Sequence, residues 1–116
     1  MPKKILIVED EWLLASELAR HVKAAGYEVV GPVPTIADAA ERISDDRPDA
    51  AILDVQLVGE TTLSLAADLS VLGIPFFFLT GHTANDYPQL KGRLILSKPA
   101  AEPQLLRTLA DLVGDA

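Results

Sequence analysis

Glu9, Asp10, Asp54, Thr80 and Lys98 are the residues of this chain whose side chains could act together. Each stands where a short apolar run stops. Ile5-Leu6-Ile7-Val8 gives way to Glu9-Asp10, Ala50-Ala51-Ile52-Leu53 to Asp54, Ile74 to Leu79 to Thr80, and Leu94-Ile95-Leu96 to Ser97-Lys98. Singly, each has a plain alternative: acids favoured at a helix N-terminus, a turn aspartate, a strand threonine, a solvated lysine. Gathered at one edge they mean something else. Like charges about 4 Å apart cost about 4 kcal/mol at an effective dielectric of about 20, so three carboxylates need positive charge among them. A hard, oxygen-seeking divalent cation such as Mg²⁺ meets that need with one or two carboxylates, water and phosphate oxygens. The Lys98 ammonium is a second positive charge suited to a phosphoryl group, and Thr80 adds a hydroxyl donor. In such surroundings an aspartate carboxylate can attack phosphorus and become an aspartyl phosphate.

The elements that must position these groups alternate along the chain. Five short apolar runs are separated by segments of helical period, the pattern of an α/β domain whose parallel sheet is covered on both faces. In such sheets ligands bind beyond the carboxyl ends of the strands. Leu13, Leu14, Leu18 and Val22 recur at helical spacing up to Gly26, and Tyr27 to Val30 supplies a second strand. Gly31-Pro32-Val33-Pro34 is expected to interrupt regular structure until Thr35 caps a helix with Ile36, Ala39, Ala40 and Ile43 inward. Val55 to Glu60 reads as a loop, with Thr61 or Thr62 capping a helix that buries Leu63, Leu65, Ala66, Leu69 and Leu72 and stops at Gly73. Thr83 to Lys91, broken by Pro88, has room for a turn or two of helix. Glu102 to Val113 forms an amphipathic closing helix with Leu105, Leu106, Leu109 and Leu112 inward.

At 116 residues, 49% hydrophobic, the chain is expected to be a single domain over 1–116 with no effector domain. A formal charge of -7 repels polyanions and disfavours DNA, RNA and anionic membranes as partners. No cysteine is present, so disulfides, thiolate nucleophiles and Cys-based metal sites are excluded, and the two histidines, His21 and His82, make no transition-metal cage. No apolar run reaches the length of a membrane span, and a soluble, cytoplasmic protein is expected. A phosphate-binding lysine loop and a G-x-G-x-x-G turn are both missing. Haloacid-dehalogenase-type hydrolases need a second aspartate two residues after the nucleophile, where this chain has Gln56.

Together these segments resemble the receiver domain of two-component response regulators over essentially the whole chain. "ILIVEDE" resembles the first strand and acidic pair, "AAILDVQL" the phosphoacceptor strand, "FFFLTGH" the conserved-hydroxyl segment and "LSKP" the lysine-proline segment. The resemblance implies a flavodoxin-like, doubly wound five-stranded parallel sheet of order 2-1-3-4-5. The short interval between Thr80 and Lys98 leaves it a shortened fourth helix. It implies that Asp54 accepts the phosphoryl group from a phosphohistidine of a sensor kinase, and that Thr80 and Lys98 meet that group. Mg²⁺ would be held by Asp10 directly, by Glu9 chiefly through water, by Asp54 and by the backbone carbonyl of Gln56. Gln56 and His82 would tune the lifetime of the phosphorylated state, and Lys98-Pro99 would be a cis bond. Trp12, two residues past Asp10, would report ion binding if it lies nearby; otherwise it serves packing. Ile95 stands where most receivers carry an aromatic switch residue. Phe78-Leu79-Thr80-Gly81 resembles the single-domain FATGUY-type receivers, which are associated with sensor kinases of the HWE and HisKA2 types. Output would be an altered affinity for a downstream or phosphotransfer protein, or service as a phosphate sink. A pseudo-receiver that kept the fold and lost phosphorylation is the remaining alternative.

Overall fold

The computed structural model describes residues 2–81, 87–98 and 100–114. Its elements are β1 (Lys4–Val8), α1 (Trp12–Ala24), β2 (Glu28–Val33), α2 (Ile36–Asp45), β3 (Ala50–Leu53), β4 (Gln56–Leu57), β5 (Glu60–Thr61), α3 (Leu63–Leu72), β6 (Phe76–Thr80), β7 (Ile95–Ser97) and α4 (Glu102–Val113), with a 3₁₀ turn at Pro88–Leu90. The main sheet runs β2-β1-β3-β6-β7 with every neighbouring pair parallel. With the small β4–β5 hairpin set aside, that is the order 2-1-3-4-5.

Alternation along the strands divides the core in two. Leu6, Val8, Leu53 and Phe78 face α2 and α3 and pack with Ala39, Leu65 and Leu69. Ile5, Ile7, Ile52, Phe77 and Leu79 face the opposite way and pack with Leu18 and Val22 of α1 and Leu105 and Leu109 of α4. Both faces are dry, which is why these strands read as unbroken apolar runs. Between β6 and β7 the described residues hold one 3₁₀ turn, anchored by the buried Leu90.

Several local expectations are corrected. β2 does not stop at Val30 but runs on to Val33, through Gly31 and Pro32. The strand tolerates proline because it lies at the sheet edge, where no neighbour needs the missing N–H. A register shift opposite Leu6 and Val8 absorbs the extra length, with Gly31 at φ 94° and a cis Gly31-Pro32 bond. The 55–60 segment is a hairpin, Gln56 pairing with Thr61 and Leu57 with Glu60. β6 begins at Phe76, since Pro75 keeps Ile74 out of the strand, and β7 is displaced by one residue from Leu94–Leu96 to Ile95–Ser97. Leu13, Ala40 and Leu72 turn to solvent because the buried stripes of their helices are narrower than the apolar content of the sequence. Thr62 does sit at the N-cap of α3, but its hydroxyl is used elsewhere.

Candidate functional site

The parallel ladders continue one residue past the strands. The Glu9 N–H donates to the Val33 carbonyl at 3.0 Å and the Asp54 N–H to the Val8 carbonyl at 3.0 Å, so two carboxylates leave the sheet at the same height on adjacent strands. Both are buried, Glu9 at 4% exposure and Asp54 at 8%. Lys98 follows β7 and is fixed by its own N–H, which donates to the Thr80 carbonyl at 3.1 Å. Its ammonium lies 2.5 Å from Glu9 Oε1 and 3.1 Å from Asp54 Oδ2, one cation shared by two acids.

Burial is the main reason that the Glu9 carboxyl is pushed up to about 7; Lys98 pulls it down, and the neighbouring Asp54 adds to the rise. Burial works against the Lys98 charge too, but Glu9 and Asp54 outweigh it and hold the ammonium above its ordinary range. One lysine therefore leaves this acidic centre short of positive charge. Asp10 completes the centre: Glu9, Asp10 and Asp54 each present an oxygen within 4.8 Å of the others. Asp10 is oriented by the Val58 N–H, which donates to its Oδ2 at 2.6 Å and ties the first acidic corner to the hairpin after β3. An all-oxygen, carboxylate-rich donor set with a residual negative charge fits a hard divalent cation such as Mg²⁺.

Beside the acids opens a cavity of about 260 Å³ lined by Glu9, Asp10, Trp12, Ala15, Ser16, Pro32 and Pro34. Trp12 lines this cavity with the acidic pair and, at 75% exposure, lies outside the core. Thr80 is buried at the end of β6. The structure thus brings Glu9, Asp10, Asp54 and Lys98 into one cluster, with Thr80 on the adjoining strand end. His82 and the Lys98-Pro99 bond lie outside the described residues.

Three contacts at the site are not readable from the sequence. Thr62, fully buried, donates its hydroxyl to the Asp54 carbonyl at 2.6 Å, and its N–H donates to the Val55 carbonyl at 2.9 Å. The Val58 N–H holds Asp10. Tyr87 donates its hydroxyl to the Gln56 side-chain oxygen across 31 positions of sequence. None of the three has a local signal, because each is a contact between segments far apart in the chain or a backbone group.

The family model for the response regulator receiver domain matches residues 5–110. The chain is a response regulator receiver domain. This receiver is 28% identical to the polar-differentiation response regulator DivK of Brucella anthropi, a match spanning 100% of both chains. The solved structure of SdrG from Sphingomonas melonis Fr1 is 38% identical, covers 97% of each chain and superposes with a TM-score of 0.81. The transcriptional regulatory protein PdtaR of Mycobacterium tuberculosis is 31% identical over 87 residues, and there the receiver spans 42% of the relative's length. Receivers are signalling phosphoacceptors of two-component systems, partnered by sensor histidine kinases, and are not enzymes in the ordinary sense. Among the described residues no helix is long and apolar enough to cross a membrane.

Proposed function

We propose that this receiver accepts a phosphoryl group onto Asp54 from a phosphohistidine of a sensor kinase, with Mg²⁺, and then loses it slowly by hydrolysis. The observation that carries the reading is the Lys98 ammonium shared between Glu9 and Asp54 with Asp10 alongside. An Asp54 oxygen bonds to phosphorus as the P–N bond of the phosphohistidine breaks and the imidazole leaves with the electron pair. Lys98 moves from neutralising Asp54 to meeting the phosphoryl oxygens, and the Thr80 hydroxyl donates to another of them. Glu9, Asp10, Asp54 and the Gln56 carbonyl are the groups that would hold Mg²⁺. The bound ion would supply the positive charge that lets two anions approach. Gln56 and His82 are assigned to tuning the phosphoryl lifetime.

Output is read as a changed affinity for a downstream or phosphotransfer protein, or as draining of phosphoryl groups from a kinase. The end-to-end match with DivK supports a single-domain regulator, and the lack of a membrane-spanning helix among the described residues fits the cytoplasmic location we assign to it. The Phe78-to-Gly81 segment supports the FATGUY-type group and, through that resemblance, kinases of the HWE or HisKA2 type.

The test is intact mass of wild type and Asp54→Ala after incubation with a small acyl phosphate, with and without Mg²⁺. One phosphoryl adduct requiring both Asp54 and Mg²⁺ is expected. No adduct from the acyl phosphate or from a phosphorylated histidine kinase domain would overturn the reading in favour of a pseudo-receiver.

A further inference from the structure

Gln56 follows the phosphoacceptor by two residues, and both hydrogens of its amide and one acceptor position of its oxygen are engaged. Nε2 donates to the Leu57 carbonyl at 2.9 Å and to the Glu60 carbonyl at 3.2 Å, across its own hairpin. Both partners are pure acceptors, so the amide has one chemically sensible orientation: NH₂ toward the carbonyls, oxygen toward the Tyr87 hydroxyl, which donates to it. The Tyr87 ring is half-buried and packs against the core on the α2–α3 face, so the hydroxyl is delivered from a fixed point. Glu60 in turn accepts the Ile36 N–H on its carboxylate at 3.0 Å, tying the hairpin to the start of α2. The result is a latch from the 3₁₀ turn, through Gln56, to α2.

The latch has a consequence for Asp54. A glutamine amide with a free donor and acceptor beside an acyl phosphate can orient the attacking water, as the water-positioning glutamine of GTPases does. Here both amide hydrogens are committed to backbone carbonyls, and the oxygen is held by Tyr87. We propose that Tyr87 is a positioning residue that keeps the Gln56 amide turned into the hairpin and so prolongs the phosphorylated state of Asp54. This deepens, and rests on, the assignment of Asp54 as phosphoacceptor. In the step concerned, the water oxygen bonds to phosphorus, the bond between phosphorus and the Asp54 oxygen breaks, and the carboxylate leaves with the electron pair. The water proton passes to solvent, giving inorganic phosphate and free Asp54.

The experiment follows loss of the phosphoryl adduct by intact mass after rapid removal of the acyl phosphate donor, at fixed Mg²⁺. It compares wild type, Tyr87→Phe, Gln56→Ala and the double variant. Phenylalanine keeps the ring and its packing and deletes only the donor. Tyr87→Phe is expected to lose the adduct about threefold to tenfold faster, the equilibrium weight of one ordinary hydrogen bond. In the Gln56→Ala background the same substitution is expected to change nothing, an epistasis that a merely structural role for Tyr87 would not produce. A lifetime in Tyr87→Phe equal to or longer than wild type overturns the proposal, as does an acceleration that persists without Gln56. Wild type that takes no adduct from the acyl phosphate is loaded from a phosphorylated histidine kinase domain instead, and failure with both donors overturns the phosphoacceptor assignment, and the proposal falls with it.

Discussion

Replacing Lys98 by methionine keeps the length of the side chain and removes the charge between Glu9 and Asp54. In the metal-free wild type the Glu9 carboxyl sits at about 7 instead of 4.5, chiefly because it is buried. The folded state therefore binds its proton more tightly than the unfolded chain does, and this group's contribution to stability falls as pH rises from about 4.5 to about 7. Keeping Glu9 ionised at pH 8 costs the wild-type fold about 3 kcal/mol, taking about 1.4 kcal/mol per pH unit. Without the 2.5 Å contact to Lys98, the carboxyl is driven higher. The cost at pH 8 then rises toward the ceiling set by the unfolded chain, about 5 kcal/mol. At pH 5.5 both folded proteins carry a protonated Glu9 and the two costs converge. Urea denaturation in the presence of a chelator should accordingly show Lys98→Met destabilised at both pH values, with the deficit larger at pH 8 than at pH 5.5 by about 1–2 kcal/mol. An equal deficit at both values, or a smaller one at pH 8, would refute the claim that Lys98 works against the burial of an ionised Glu9.

Thr62→Val removes the hydroxyl that donates to the Asp54 carbonyl from a fully buried position; thermal denaturation should show a loss of about 1–3 kcal/mol, and a change below about 0.3 kcal/mol would contradict the bond. Gly31→Ala places a Cβ 2.8 Å from the Val33 nitrogen at a φ of 94°, whereas Gly26→Ala at φ 98° meets nothing within 4 Å. The first should therefore cost about 2 kcal/mol or more and the second about 1 kcal/mol, compared by urea midpoints, and a reversed order would defeat the argument. Mg²⁺ at about ten times its dissociation constant should stabilise wild type by about 1.4 kcal/mol, and Asp10→Asn should show little of that gain at the same concentration; a full shift in the variant would remove Asp10 from the ion. The same titration should change Trp12 fluorescence, because that ring lines the cavity beside Glu9 and Asp10.

β3 was legible residue for residue, because Ala50 to Leu53 is buried on both faces and bounded by charge on each side. Glu9, Asp10, Asp54 and Lys98 were legible for a related reason: a parallel sheet leaves only the strand ends wet, so polar residues that close apolar runs must meet there. The extension of β2 was not legible, since Pro32 is acceptable only at an edge, and edge position is a property of strand order rather than of local sequence. The β4–β5 hairpin is two residues deep, below the length at which alternation becomes a signal. The Tyr87–Gln56 contact, 31 positions apart, depends on the closed fold, and the Thr62–Asp54 contact on the hairpin that folds back after β3.

The irregular end of β2 also bears on how copies of the molecule avoid one another. A parallel sheet has two open rims, each a row of unpaired backbone groups that could template a foreign strand. Here one rim is spoiled by Pro32, which offers no donor, and by the kink at Gly31; the other is β7, three residues long. Neither rim gives an incoming strand enough regular backbone to extend the sheet. Association is thereby left to side-chain surfaces, the helical flanks and the loops around Asp54, which are also the parts nearest to the chemistry.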